Sequence, residues 1–196
     1  FSKPWSYDTS AKTITDGNWV LSVTGVSGVE GGLQIGKVVS VGDQLSLDLS
    51  QSVSDSSGNL YNIVAIAGEC FNGKSIRFLY LGDEIKTIGH RAFCKCYSLE
   101  WAVPLMPAKL TSLGEGVFSE CLLLSGDVVF PANEISTPHV YSTAGYGWFY
   151  KTKITSCDMS KAMMTTIKAS SFSQCKELKN VKLPNGVTSL GDDAFN

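Results

Sequence analysis

The chain has 196 residues, with 16 Lys plus Arg against 18 Asp plus Glu and a formal net charge of −2. Its cations are scattered rather than gathered into a stripe, which speaks against nucleic-acid binding, because neutralising phosphates needs clustered positive charge. The longest apolar runs, such as residues 121–124, fall far short of the roughly 18 to 20 residues a membrane-spanning helix needs, so no membrane insertion is expected.

Residues 1–44 carry Trp5, Tyr7, the run Trp19-Val20-Leu21-Ser22-Val23 and the run from Leu33 to Val39, punctuated by Asp16-Gly17-Asn18 and Gly31-Gly32. These are strand and hairpin signals. The segment reads as a β-rich cap over the open end of a repeat array, or as a small carbohydrate-binding β-module built around Trp5 and Trp19; aromatic residues beside strand patterns are more often core. No targeting signal stands in the first 30 residues. Leu45, Leu47 and Leu49 then alternate, and Asp48-Leu49-Ser50 resembles Asp158-Met159-Ser160. A first degenerate rung therefore begins there, and residues 45–196 form the second unit. The stretch Asp55-Ser56-Ser57-Gly58-Asn59 lacks the further oxygen ligands of a calcium loop and is expected to be a plain turn.

A six-residue pattern then recurs: Ile66-Ala67-Gly68-Glu69-Cys70-Phe71, Ile88-Gly89-His90-Arg91-Ala92-Phe93, Leu113-Gly114-Glu115-Gly116-Val117-Phe118, a looser Ala144-Gly145-Tyr146-Gly147-Trp148-Phe149, Ile167-Lys168-Ala169-Ser170-Ser171-Phe172 and Leu190-Gly191-Asp192-Asp193-Ala194-Phe195. Its Phe residues lie 22, 25, 31, 23 and 23 positions apart, the period of repeat stacks in which each unit contributes one turn. From Ile88 the apolar or small positions are Ile88, Ala92, Phe93, Cys96 and Leu99, spaced by three, four or seven, which predicts a short helix. Val181 and Leu183 at period two, closed by Pro184, predict a short strand. The expected architecture is an α/β repeat, a right-handed solenoid of short strands and short helices, with the six Phe rings stacked inside.

Cys96, Cys121 and Cys175 each fall three residues after a motif Phe, and Cys70 stands just before one. Cysteines in register with a repeat are core fillers, expected as free thiols rather than a disulfide framework. Cys94-Lys95-Cys96 lacks the second half that a zinc site needs, so no metal is expected. About seven residues are inserted near 135–143, and this insertion with its flank gathers Pro138, His139, Tyr141, Tyr146, Trp148 and Tyr150. Loops that interrupt a regular scaffold concentrate binding residues, and exposed aromatics suit sugars or protein patches. The competing reading places Tyr141 and Trp148 in the repeat core by register. At the other end, Val187, Leu190, Ala194 and Phe195 open a repeat whose second half is missing. Further repeats, a cap or end-to-end association with another copy is expected to cover that face.

The string Ile/Leu-x-x-Ile/Leu-Gly-x-x-Ala-Phe-x-x-Cys-x-x-Leu-x-x-Val-x-Leu-Pro, clearest from Val187 to Phe195 and from Met164 to Pro184, resembles the BspA-like leucine-rich repeat, also described from treponemal surface proteins. The resemblance covers about residues 60–196. It implies a secreted or surface-attached bacterial protein engaged in adhesion to protein or glycan on a host or microbial surface. No catalytic arrangement accompanies it. His90 and His139 have no Ser, Cys or carboxylate partners in a known pattern, and no nucleotide-binding or metalloprotease motif occurs. The sequence therefore points to a non-enzymatic extracellular binding module without a cofactor. The alternative is a carbohydrate-binding module of a larger secreted glycan-processing protein, and a hydrolase would require a pocket with converging carboxylates.

Overall fold

The computed structural model describes residues 3–43, 45–138 and 146–196. Seven strands come first: β1 (Trp5–Asp8), β2 (Thr13–Thr15), β3 (Trp19–Gly25), β4 (Gly32–Val41), β5 (Ser46–Asp48), β6 (Val53–Asp55) and β7 (Leu60–Ile66). Nine more follow among the described residues: β8 (Phe78–Tyr80), β9 (Thr87–Ile88), β10 (Trp101–Val103), β11 (Ser112–Leu113), β12 (Ser125–Val129), β13 (Lys153–Asp158), β14 (Thr166–Ile167), β15 (Asn180–Lys182) and β16 (Ser189–Leu190).

The amino-terminal strands close on themselves. The order β7-β4-β3-β2-β1-β6 returns from β6 to β7, giving a six-stranded barrel. Each hairpin has a local cause. Between β2 and β3 the Asp16 carboxylate accepts the backbone N–H groups of Asn18 at 2.9 Å and Trp19 at 2.7 Å, while Gly17 takes the left-handed conformation at φ 91°, the side-chain turn that Asp favours. Along β3, Trp19, Leu21 and Val23 are buried and the residues between them are not, so one face fills the barrel with Trp5, Ile14, Leu33, Ile35, Val53 and Ile63. Closure removes the free edges that short strands would otherwise present.

Trp5 and Trp19 are each only 1% exposed. Their indole N–H groups donate to the carbonyls of Asp48 and Ser46, both at 2.8 Å, and so pin β5 to the barrel. The idea of a carbohydrate-binding module built around these two tryptophans is corrected: both rings are spent on the core, and Trp19 meets Phe71 edge-on at 6.1 Å.

β7 serves both the barrel and the repeats. It continues in parallel to β9 and β11, pairing Ile66 with Ile88 and Ile88 with Leu113; β14 and β16 resume the same column with Ile167 opposite Leu190. A second column runs β5-β8-β10 and then β12-β13-β15, all in parallel. Asp48 and Asp158 occupy the same place in it, each accepting the backbone N–H of the Ser two residues on at 3.0 Å.

The third side of each rung was expected to be helical, and this is overturned: among the described residues there is no α-helix, and the arms are successions of tight turns. The cause lies in the backbone. The residue two before the motif Phe is left-handed in Glu69, Arg91, Gly116, Ser170 and Asp193, and the residue two after it in Gly73, Lys95, Glu120, Lys151 and Gln174. An α-helix of L-residues cannot hold such a residue every fourth position. Instead the N–H groups divide their bonding. Cys70, Asn72 and Lys74 donate three residues back within the arm, whereas Glu69, Phe71 and Gly73 donate to His90, Ala92 and Cys94 of the next rung. The same alternation links Arg91, Phe93 and Lys95 to Glu115, Val117 and Ser119. Positions spaced by three, four and seven still point inward, since Ile88, Ala92, Phe93, Cys96 and Leu99 are all fully buried. The periodicity located the core correctly and its conformation wrongly.

The motif Phe rings stack through the molecule. Phe71, Phe93, Phe118, Phe149, Phe172 and Phe195 follow one another at centroid distances of 5.2, 5.5, 5.7, 5.8 and 5.2 Å, with interplanar angles no larger than 16°. Rungs also touch backbone to backbone. A Cβ on Gly89 would lie 2.3 Å from the Gly68 nitrogen, and one on Gly114 2.3 Å from the His90 nitrogen, which is why Gly follows Ile or Leu in those copies. The cysteines do more than fill space: the thiols of Cys96, Cys121 and Cys175 donate to the carbonyls of Phe71, Phe93 and Phe149 at 3.2, 3.1 and 2.9 Å. All six cysteines are free.

Candidate functional site

In the second column each rung shows two outward residues around an inward one. The inward series is Leu47, Leu79, Ala102, Val128 and Cys157, all buried, followed by half-buried Val181. The outward pairs are Ser46 and Asp48, Phe78 and Tyr80, and Trp101 and Val103, in register on β5, β8 and β10, then Asp127 and Val129, Ser156 and Asp158, and Asn180 and Lys182, in register on β12, β13 and β15. The middle of this face is thus aromatic and aliphatic, and its far end is polar. Phe78 lies 5.0 Å from Trp101 at 33°, and Tyr80 meets Trp101 edge-on at 5.0 Å. Val103 is 52% and Val129 61% exposed. The Arg77 guanidinium sits 4.9 Å over the Phe78 ring and its Nε bonds Glu100 at 2.7 Å. An apolar centre with a charged rim is the anatomy of a contact surface.

Beside Trp101 the chain departs from regular strand. Gly126 has φ 113° at a register shift in β12, and nothing lies within 4 Å of where its Cβ would stand. The next residue, Asp127, turns to the following rung and accepts the hydroxyls of Thr155 at 2.9 Å and Ser156 at 2.6 Å. Those two hydrogen bonds hold its carboxyl below the ordinary carboxylate range, so it is charged at neutral pH.

The residues expected to bind around the insertion are dispersed in role. His139 and Tyr141 lie outside the described residues. Pro138 is exposed, and Tyr146 and Tyr150 are half-buried, each with a cation of its own chain over the ring: Arg91 at 4.2 Å from the Tyr146 centroid and Lys151 at 4.9 Å from that of Tyr150. Trp148 is 1% exposed and packs against Phe130 and Phe172. Its burial corrects the expectation that this side chain meets a partner, since it fills the motif's small-residue position. Near the insertion a concavity of about 910 Å³ is lined in part by Thr111, Glu134, Ser136, Lys161, Met163 and Thr166. Glu134 supplies its one carboxylate among the described lining residues, so the converging pair that glycoside hydrolysis uses is not formed there.

The His90 ring lies against Gly68 of the preceding rung. The Asp55 loop is a turn: its carboxylate accepts the backbone N–H groups of Ser57 and Asn59, the Asn59 amide and the Tyr61 hydroxyl. Burial pushes the Cys70 thiol up to about 12 and raises those of Cys121 and Cys157 as well, the reverse of what a nucleophilic cysteine requires.

Sequence reasoning passed over Phe78, Tyr80, Trp101, Val103, Asp127 and Val129. The signal was present: on either side of the inward residue, period two places aromatics outward in two successive repeats, where later repeats carry Ser156, Asp158, Asn180 and Lys182.

The model of the BspA type leucine-rich repeat region matches residues 64–128 and 106–196 in six copies, together about two thirds of the chain. No curated protein matches significantly. Among solved structures the chain is similar to a leucine-rich repeat protein from Bacteroides capillosus, with 19% identity over 73% of this chain and 98% of that one and a TM-score of 0.54. It is also similar to the T. pallidum leucine-rich repeat protein, at 21% identity over 87% of this chain and 83% of that one, TM-score 0.56. A leucine-rich cell surface protein from Faecalibacterium prausnitzii gives 16% identity over 94% of this chain and 52% of that one, TM-score 0.55. At such identities the likenesses establish the fold.

Proposed function

Because the chain belongs to the BspA-type leucine-rich-repeat family, we propose that it is a non-enzymatic extracellular binding module that adheres to proteins on a host or microbial surface. Contact runs through the outward face of the second column. The observation that carries this reading is the cluster of Phe78, Tyr80, Trp101, Val103 and Val129 on three successive rungs. The rungs do not require these side chains, since Asn180 and Lys182 hold the equivalent outward positions further on. An aromatic centre of this kind is where binding energy concentrates in protein interfaces. A surface location is supported by the cell-surface description of the Faecalibacterium neighbour. The buried thiols suit it too, because protonated, inaccessible sulfur resists oxidation.

The experiment is binding of the whole chain and of Trp101→Ala to an array of host-matrix and microbial-surface proteins run beside a glycan array. Protein hits that disappear in Trp101→Ala are expected. Trp101-dependent hits on glycans alone would favour the carbohydrate-binding alternative. Protein hits indifferent to Trp101 but lost in Tyr146→Ala or Tyr150→Ala would move the contact to the insertion face.

A further inference from the structure

We infer that the protein partner of this face contributes an arginine, whose guanidinium stacks on the open face of Trp101 and pairs with Asp127. The inference rests on the reading of this face as protein-binding and adds the chemistry of the anchor.

Two ends of one aromatic stack carry the argument. At the first end, the Arg77 guanidinium lies 4.9 Å over Phe78 and bonds the Glu100 carboxylate at 2.7 Å, and Phe78 in turn lies 5.0 Å from Trp101. Phe78 therefore covers one side of the Trp101 ring, and Tyr80 meets it edge-on. The next rung is tethered to this one by the Ser125 N–H, which donates to the Glu100 carbonyl at 3.1 Å. There Gly126 presents no side chain and has open space where a Cβ would be, and Asp127 is drawn away toward Thr155 and Ser156. Trp101 and the exposed Asp127 thus stand on successive rungs, and Gly126, which precedes the carboxylate, puts no side chain between them.

The second end thus repeats the aromatic ring and the carboxylate of the first, and this chain places no cation over Trp101 among the described residues. Elsewhere the chain caps half-buried aromatics with its own cations, as Arg91 does for Tyr146 and Lys151 for Tyr150. A planar cation suits both groups, because guanidinium stacks on an aromatic face and donates a fork of N–H groups to carboxylate. Lysine offers a point charge without the plane. A sugar ring could stack and donate hydroxyls to Asp127, but it would bring no opposite charge to the carboxylate.

The test selects 12-residue peptides from a random display library on the intact protein and measures the selected peptides by titration. Arginine is expected to dominate one position. Replacing it with citrulline, a neutral isostere, should weaken binding about tenfold, the scale of one charge-assisted pair. In Asp127→Asn, whose side chain is exposed and leaves the core intact, arginine and citrulline peptides should bind within about twofold of each other, since the coupling has lost its acceptor. A citrulline penalty unchanged by Asp127→Asn overturns the pairing with Asp127, and with it the proposed anchor, while leaving the face in place, provided that Trp101→Leu still abolishes binding. Selected peptides that bind Trp101→Leu as well as wild type overturn both the assignment and the face. A library that yields no binder, beside Trp101 fluorescence that answers only to oligosaccharides, overturns both as well.

Discussion

Lys95 separates a turn ladder from a helical arm by the sign of one stability difference. It is exposed, forms the second left-handed position of its arm at φ 58°, and donates its N–H to Ser119 of the next rung at 2.8 Å. An L-residue pays roughly 1–2 kcal/mol to stand in this conformation, and glycine, which avoids that strain, loses roughly 0.5–1 kcal/mol more chain entropy on folding. Lys95→Gly should therefore stabilise the protein by about 0.5–1 kcal/mol. Lys95→Ala, which keeps the Cβ and the strain, should be nearly neutral. In a helix the order reverses, because alanine exceeds glycine there by about 1 kcal/mol. Equilibrium urea denaturation followed by circular dichroism reads both variants as shifts in midpoint at unchanged slope. Gln174, at φ 59° and also exposed, provides a distant second site whose effect should add to the first. Alanine more stable than glycine by about 1 kcal/mol at both positions would refute the ladder.

Phe93→Ala opens a hole between two stacked rings and should cost about 3–5 kcal/mol, whereas Phe195→Ala, at a position 42% exposed with one stacked neighbour, should cost about 1 kcal/mol; urea titration of each checks the gradient. Six thiols should titrate under denaturing, non-reducing conditions, and in the native protein half-buried Cys175 should react first; two or fewer would contradict the core assignment. Hydrogen bonds from Ser160 and Lys182 depress the Asp158 carboxyl from 3.8 to about 2. Its contribution to stability is then complete above the ordinary carboxylate value and is lost as pH falls toward 2. The melting temperature of wild type should thus drop more steeply below pH 4 than that of Asp158→Asn. Trp5, Trp19 and Trp148 are buried and Trp101 is half-exposed, so acrylamide should quench one component of the fluorescence, and Trp101→Phe should remove that component.

The inward half of the fold was legible because burial leaves a periodic mark. Phe93, Cys96 and Leu99 announce a core whatever the backbone between them does. The helices were misread because spacings of three and four belong to any chain that returns to the core every turn. Most of the left-handed residues that exclude a helix here, among them Glu69, Arg91, Lys95, Ser170 and Gln174, carry no Gly or Asn signature to give them away. Barrel closure was illegible for another reason: it depends on β6 finding β1 in parallel and β7 in antiparallel, long-range pairings that no local pattern specifies. The candidate site was missed through attention to the irregular insertion. Trp148 lies in the core, and the open aromatic face stands on the most regular part of the repeat.

That location reflects how each rung divides its residues. Backbone N–H groups of the arm are committed alternately to the arm itself and to the next rung, and Gly89 and Gly114 are held by backbone contact at 2.3 Å from a would-be Cβ. Inward positions are held by the Phe stack and by thiols bonded to carbonyls of the preceding rung. What remains free to differ between rungs, without cost to stacking, is the outward pair on each strand. Asn180 with Lys182 shows that a polar pair serves the scaffold there, whereas Trp101 with Val103 leaves apolar surface in water at a solvation cost of roughly 25 cal/mol for each Å². An arrangement that bears this cost on three adjacent rungs, beside the charged carboxylate of Asp127, offers a partner the surface most worth burying.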